Sequence, residues 1–153
     1  MVWDGGMSRL SSMWVLTLRL SVAGFWLFFA SQRWFNRGWV EELFVEAASG
    51  NYIPFYGNML RELSASWEVL TLTVTALETA VGVMFLVGLY PRIAAVIGTF
   101  IAANLWLTFS FCDCLWNRQD PAQVFWFYYS ALLLNLAILR EKNQPSIIRH
   151  RRK

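Results

Sequence analysis

Two ionisable side chains interrupt long apolar runs, Arg19 within Leu16-Thr17-Leu18-Arg19-Leu20 and Glu78 within Leu77-Glu78-Thr79-Ala80. In hydrocarbon an unpaired charge costs at least about 2.5–3.5 kcal/mol on insertion scales, so such residues face inward, find partners and mark proton, ion or substrate sites. Glu78 has the chemistry of a proton carrier, and Arg19 that of a clamp for an anion or a carbonyl. Each lies roughly eight or nine residues into its run, near mid-depth at about 1.5 Å per residue. The expectation is that they pair with each other. Such a pair serves catalysis and the fixing of helix register equally well, and both readings stand. Asn104, midway along a third run, is placed to join the same polar cluster, whereas Asn135, deeper in the fourth, reads as a packing residue.

Both cysteines of the chain fall in Cys112-Asp113-Cys114. A C-x-C disulfide closes a small, strained ring that is readily reduced, as redox-active pairs are, and thiolate attack on a sulfur substrate is the chemistry it offers. The alternative is two unpaired thiols at a helix end. With Asp113 they are too few for a structural zinc site within one chain.

The elements that must position these groups are transmembrane helices. The 153 residues are 57% hydrophobic and 15% charged, against about 25% charged in an ordinary soluble domain. Apolar runs at about 11–31, 69–90, 93–111 and 123–139 each suit a hydrocarbon core of about 30 Å. They predict an all-α fold, a single integral-membrane four-helix bundle over residues 1–153. The first run carries Arg19 and has no clean small-residue cleavage site, so it reads as a retained helix rather than a signal peptide.

Arg140, Lys142, Arg149, Arg151, Arg152 and Lys153 follow the fourth run, which makes 140–153 a basic cytoplasmic tail; four crossings return the N-terminus, with Arg9, to the same side. The cell membrane is the expected location, and the turn at Pro91-Arg92 lies inside. Outside is a long amphipathic and aromatic loop from about Gln32 to Glu68. In it Trp39, Leu43, Phe44 and Ala47 share a helical face, read as lying on the membrane surface, and Tyr52, Phe55 and Tyr56 are read as a lid over the bundle mouth. Trp34, Trp39, Trp67, Trp106, Trp116 and Trp126 fall near the interfaces, where an indole buries its ring and keeps its N–H wet.

The stretch Leu16-Thr17-Leu18-Arg19-Leu20 followed by Gly24 resembles the first helix of the DoxX/DoxD-like membrane family. Glu78-Thr79-Ala80-Val81-Gly82 through Gly88-Leu89-Tyr90-Pro91-Arg92 resembles its second helix and inner turn, and Asn104-Leu105-Trp106-Leu107 is closer to the DoxD branch. Together these cover roughly residues 14–110. The resemblance implies a four-helix membrane protein. It further implies a quinone-linked redox setting, since the DoxD branch supplies the membrane subunit of a thiosulfate:quinone oxidoreductase. Under it, Glu78, Arg19, Cys112 and Cys114 are the candidate catalytic residues, and Tyr52, Tyr56, Asn104 and Trp106 the candidate quinone contacts.

The lone histidine, His150, sits in the tail, so haem cannot be held by paired histidines of this chain. No four-cysteine iron–sulfur motif, G-x-G-x-x-G fingerprint or Walker loop occurs, and there is no nucleic-acid signature. If the chain takes part in a redox reaction, its electrons must therefore come through Cys112 and Cys114, a bound quinone or another subunit. Two functional classes survive. One is a redox-complex subunit that oxidises a sulfur compound at the outer face; the other is a non-catalytic accessory subunit that packs against a larger complex, with membrane lipids as its other partners. A transporter is the weaker third, without inverted repeats or broken helices. In either surviving class the expected site is the outer mouth, between Tyr52–Tyr56 and Cys112–Trp116, near Asp113 and Asp120, with Glu78 and Arg19 at its floor.

Overall fold

The computed structural model describes residues 4–35, 38–112 and 121–140. Among them the chain is helical: α1 (Asp4–Phe35), α2 (Gly38–Gly50), α3 (Pro54–Leu63), a single 3-10 turn (Ser64–Ser66), α4 (Trp67–Val87), α5 (Pro91–Phe109) and α6 (Pro121–Arg140). Proline opens α3, α5 and α6 at the first helical position, where its missing N–H leaves nothing unpaired and its φ suits the helix. Three stretches, Met13–Phe35, Pro54–Val87 and Pro91–Phe109, are long and apolar enough to cross a membrane, and α6 is apolar over Phe125–Arg140. The protein is a helical membrane protein.

α1 packs on α4 and α5 on α6, and the two pairs meet through α4 with α5 and α1 with α6. In lipid the hydrophobic effect does not hold helices together; close packing and interhelical hydrogen bonds do. Small residues supply the closeness here, with Ala23, Ala94, Ala95 and Ala102 fully buried in the seams. At Gly98 the backbone of α5 meets the Asn135 amide so closely that an added Cβ would overlap its Oδ1. Asn135, fully buried, donates to Ala131 O within α6 at 2.7 Å and accepts from Trp26 Nε1 of α1 at 3.4 Å. It ties three helices together, the packing role its sequence position suggested.

The turn between α4 and α5 ends α4 at Gly88, whose φ of +76° lies in the left-handed region that a side chain strains. Gly88 N and Leu89 N both donate to Met84 O, closing the helix end.

The expected outer loop is two helices and their connections. Leu43, Phe44, Ala47 and Ala48 of α2 are buried against Tyr56 and Leu60 of α3 and against Phe109 and Cys112 at the C-terminal end of α5. The face shared by Leu43, Phe44 and Ala47 therefore turns into the protein rather than lying on the membrane surface, because α3 and α5 offer it better packing than lipid headgroups can. Glu41 and Glu42 are exposed, as the helical pattern requires. The side chain of Trp39, residues 113–120 with Cys114 and Trp116, and the basic tail lie outside the described residues.

Candidate functional site

α1 carries one continuous buried stripe, Val15, Arg19, Val22, Trp26, Ala30 and Arg33, at intervals of three or four residues. Its two arginines reach different ends of α4, since the helices run antiparallel with Leu27 of α1 against Gly82 of α4. Arg33 pairs with Glu78: its Nη1 contacts Oε2 of the carboxylate, and both side chains are buried. The neighbouring Trp34 donates from Nε1 to Thr79 Oγ1 at 3.0 Å, which holds the register one residue further along both helices.

The expected pairing of Arg19 with Glu78 is thus corrected. The Arg19 guanidinium lies over the α4 terminus, where a Cβ on Gly88 would sit 2.9 Å from Nη1. A cation suits that end of a helix, where unpaired carbonyls gather. Glu78 and Gly88 are ten residues apart on α4, about 15 Å along the axis. Arg19 belongs to the opposite end of the bundle and is not at the floor of an outer site.

Glu78 is fully buried, and its Oε1 has no hydrogen-bond partner among the described residues. Around it the Thr75 and Thr79 hydroxyls return to carbonyls of their own helix, Thr71 O and Thr75 O, at 2.7 Å each, so they leave the carboxylate to Arg33. Tyr128 of α6 stands within electrostatic reach of both Arg33 and Glu78. Its ring stacks on Phe109, 5.8 Å between centroids. Arg33, Glu78 and Tyr128 thus bring α1, α4 and α6 to one buried polar centre.

α2 and α3 roof the Phe109 end of α5 and are latched to it by a compact set of bonds. Tyr56 OH lies 3.1 Å from both Asn104 O and Asn104 Oδ1, and 3.2 Å from Thr108 Oγ1. Asn51 Nδ2 donates to Leu107 O at 3.1 Å and Thr108 O at 3.3 Å, while its Oδ1 caps Ile53 N. Tyr52 N donates to Phe111 O at 2.6 Å, and Asn51 forms an isolated antiparallel bridge with Cys112. Of the residues singled out as quinone contacts, the structure joins Tyr56 to Asn104 and places the Tyr52 backbone beside Phe111; the Tyr52 side chain points outward, 58% exposed.

Cys112 is fully buried and disulfide-bonded, and Cys114 is the only other cysteine in the sequence. Cys112 sits three residues past the end of α5, bridged to Asn51.

Trp106 lies on a different face of α5, in an aromatic group with Phe111, Phe125 and Tyr129 at 5.3–5.9 Å between centroids. Its Nε1 is buried without a hydrogen-bond partner among the described residues, as are Ser110 Oγ and Thr99 Oγ1 on the same face.

Arg33 is the residue of this buried pair that the sequence pattern left out. The run ending near Ser31 assigned it to the loop, whereas α1 continues to Phe35. The signal was its place in the buried stripe, two helical turns beyond Trp26.

No family model, curated protein or solved structure matches this chain.

Proposed function

We propose that this chain is a DoxX/DoxD-like subunit of a quinone-linked redox complex in the cell membrane. It is a four-helix bundle that crosses the membrane four times, with both termini cytoplasmic and the α2–α3 roof outside. The observation that carries the reading is the Arg33–Glu78 pair, buried between apolar helices with Tyr128 beside it. Burying two charges in such surroundings is costly, and a well-packed apolar contact would hold α1 to α4 as firmly. A task for the carboxylate accounts for the presence of so costly a pair.

A quinone, when bound, supplies a two-electron, two-proton acceptor. Glu78 holds and moves a proton at Oε1, the oxygen free of partners, while Arg33 fixes the carboxylate through Oε2. The roof, latched by Tyr56 and Asn51, keeps water from the pair, so its charges act at low dielectric. The orphaned donors on α5 fit a carbonyl-bearing ring, and the aromatic group around Trp106 fits its faces. Electrons come from another subunit or from a sulfur compound at the outer face, where Cys112 lies.

The competing reading is an accessory subunit without chemistry, and the closed character of the latch favours it, since Tyr56, Asn104 and Thr108 satisfy one another. Purification from native membranes, followed by quinone extraction and assay of quinone reduction by the Glu78→Gln variant, separates the two. Co-purified quinone, and a loss of ten-fold or more in reduction with assembly intact, supports the proposal. A quinone-free preparation, or an active Glu78→Gln complex, overturns it in favour of the accessory role.

A further inference from the structure

Hydroxyl groups in apolar helices ordinarily return their proton to a carbonyl three or four residues earlier, because hydrocarbon offers no other acceptor. Thr17, Ser31, Thr73, Thr75, Thr79 and Thr108 all do so in this protein. Ser110, the residue that caps α5 one turn beyond Trp106, does not, and among the described residues the Trp106 indole N–H is unpartnered as well. Two adjacent donors on one face, both shut off from solvent, form an arrangement that is costly to leave unmade.

We infer that Trp106 and Ser110 form a binding site for the carbonyl group of a membrane amphiphile, at the α5–α6 seam near its outer end. The ligand class is an apolar chain bearing an ester or ring carbonyl, which covers both ester phospholipids and isoprenoid quinones. Trp106 Nε1 and Ser110 Oγ donate to the carbonyl oxygen. Phe125 and Tyr129, one turn apart on α6 and stacked at 5.9 Å between centroids, wall the site from the other helix. The Phe125 ring lies edge-on to Trp106, 5.3 Å between centroids.

Access is lateral. The donor face of α5 borders the face carrying Val96 and Phe100, which are 57% and 69% exposed among the outward apolar residues. A bilayer amphiphile therefore reaches the seam without passing the α2–α3 roof. Thr99, two turns deeper on the same face as Trp106, is likewise unpartnered and continues the polar track along the seam.

The site is independent of the Arg33–Glu78 centre, and it deepens the quinone reading only if its occupant is a quinone. The test is native mass spectrometry of the delipidated full-length protein in detergent, titrated separately with an ester phosphatidylcholine, its ether-linked analogue and a short-chain ubiquinone. The expected result is an adduct with the ester lipid, the ubiquinone or both. That adduct weakens about five- to ten-fold in Trp106→Phe and in Ser110→Ala, the scale of one lost hydrogen bond. The ether lipid, which has no carbonyl, forms it at least five-fold less. Adducts unchanged in both variants, or ether lipid held as well as ester, overturn the inference. Ester lipid without ubiquinone sustains the site and removes it from the quinone proposal, while the Glu78→Gln assay stands or falls separately. The ether comparison uses the unaltered protein, so the test survives a variant that misfolds.

Discussion

Replacing Arg33 by methionine keeps most of the buried stem and deletes the charge opposite a carboxylate with no exposed surface. Breaking a buried pair from one side costs about 3–5 kcal/mol, because the remaining charge keeps its desolvation penalty without its partner. Arg33→Met should fall at the lower end, about 3 kcal/mol, since Glu78 can take up a proton and become neutral. Glu78→Gln should cost less, about 1–2 kcal/mol: Arg33 lies two residues from the end of α1, close enough for its long side chain to lead the charge toward the interface. The double variant should cost less than the sum, leaving a coupling of about 2 kcal/mol. Arg19→Met combined with Glu78→Gln should be additive within about 0.5 kcal/mol, given the separation of about 15 Å along α4. The assay is reversible unfolding in mixed micelles by added dodecyl sulfate, followed by circular dichroism and tryptophan fluorescence, whose coincidence tests for two-state behaviour. Additive Arg33 and Glu78 effects, or an Arg19–Glu78 coupling as large as that of Arg33, would refute the assignment of the pair.

Tyr56→Phe removes the hydroxyl that meets Asn104 and Thr108, and should cost about 1–2 kcal/mol; faster amide exchange across residues 51–63, with the α1–α4 seam unchanged, is the expected signature, and uniform exchange would show that the roof and bundle open together. Gly98→Ala drives a Cβ into the Asn135 amide and should destabilise by about 1–3 kcal/mol. Adding Asn135→Ala to it should recover part of that loss in the same micelle assay, and no recovery would argue against the close approach. A reporter active only in the cytoplasm should work when fused after Lys153; activity from a reporter of the outer compartment at that position would invert the proposed orientation.

The helices were legible in the apolar runs because length and composition decide what can cross a bilayer, and the predicted 69–90 and 93–111 lie within a few residues of α4 and α5. The α2 face of Leu43, Phe44 and Ala47 was legible from its spacing. What covers that face was not, since it depends on α3 and the end of α5 meeting α2 from distant parts of the chain. The charge pairing failed for a related reason. Depth counted from estimated run ends put Arg19 level with Glu78, but the register of α1 against α4 is set by Leu27 over Gly82 and Trp34 beside Thr79, contacts that apolar content does not encode. Trp106 was marked in the sequence as a candidate contact, while Ser110 was passed over: a serine at a helix end is ordinary until its hydroxyl is found without an acceptor.

The pairing of Arg33 with Glu78 also sets an order of events during synthesis. Forty-five residues separate the two, so at about 5–20 residues per second the ribosome delivers the carboxylate some 2–9 seconds after the guanidinium. In that interval Arg33 waits near the C-terminal end of α1, where its long stem keeps the charge among headgroups. Glu78 has a shorter side chain and enters eleven residues into α4, so it meets the bilayer interior with nowhere to extend. α1 thus acts as a template already in place: its arginine receives the glutamate as α4 leaves the translocation channel, and the first helical pair forms before α5 and α6 leave it. A variant lacking Arg33 would fail earliest at that step, as a nascent chain whose second crossing is inserted inefficiently, before any folded protein exists to be destabilised.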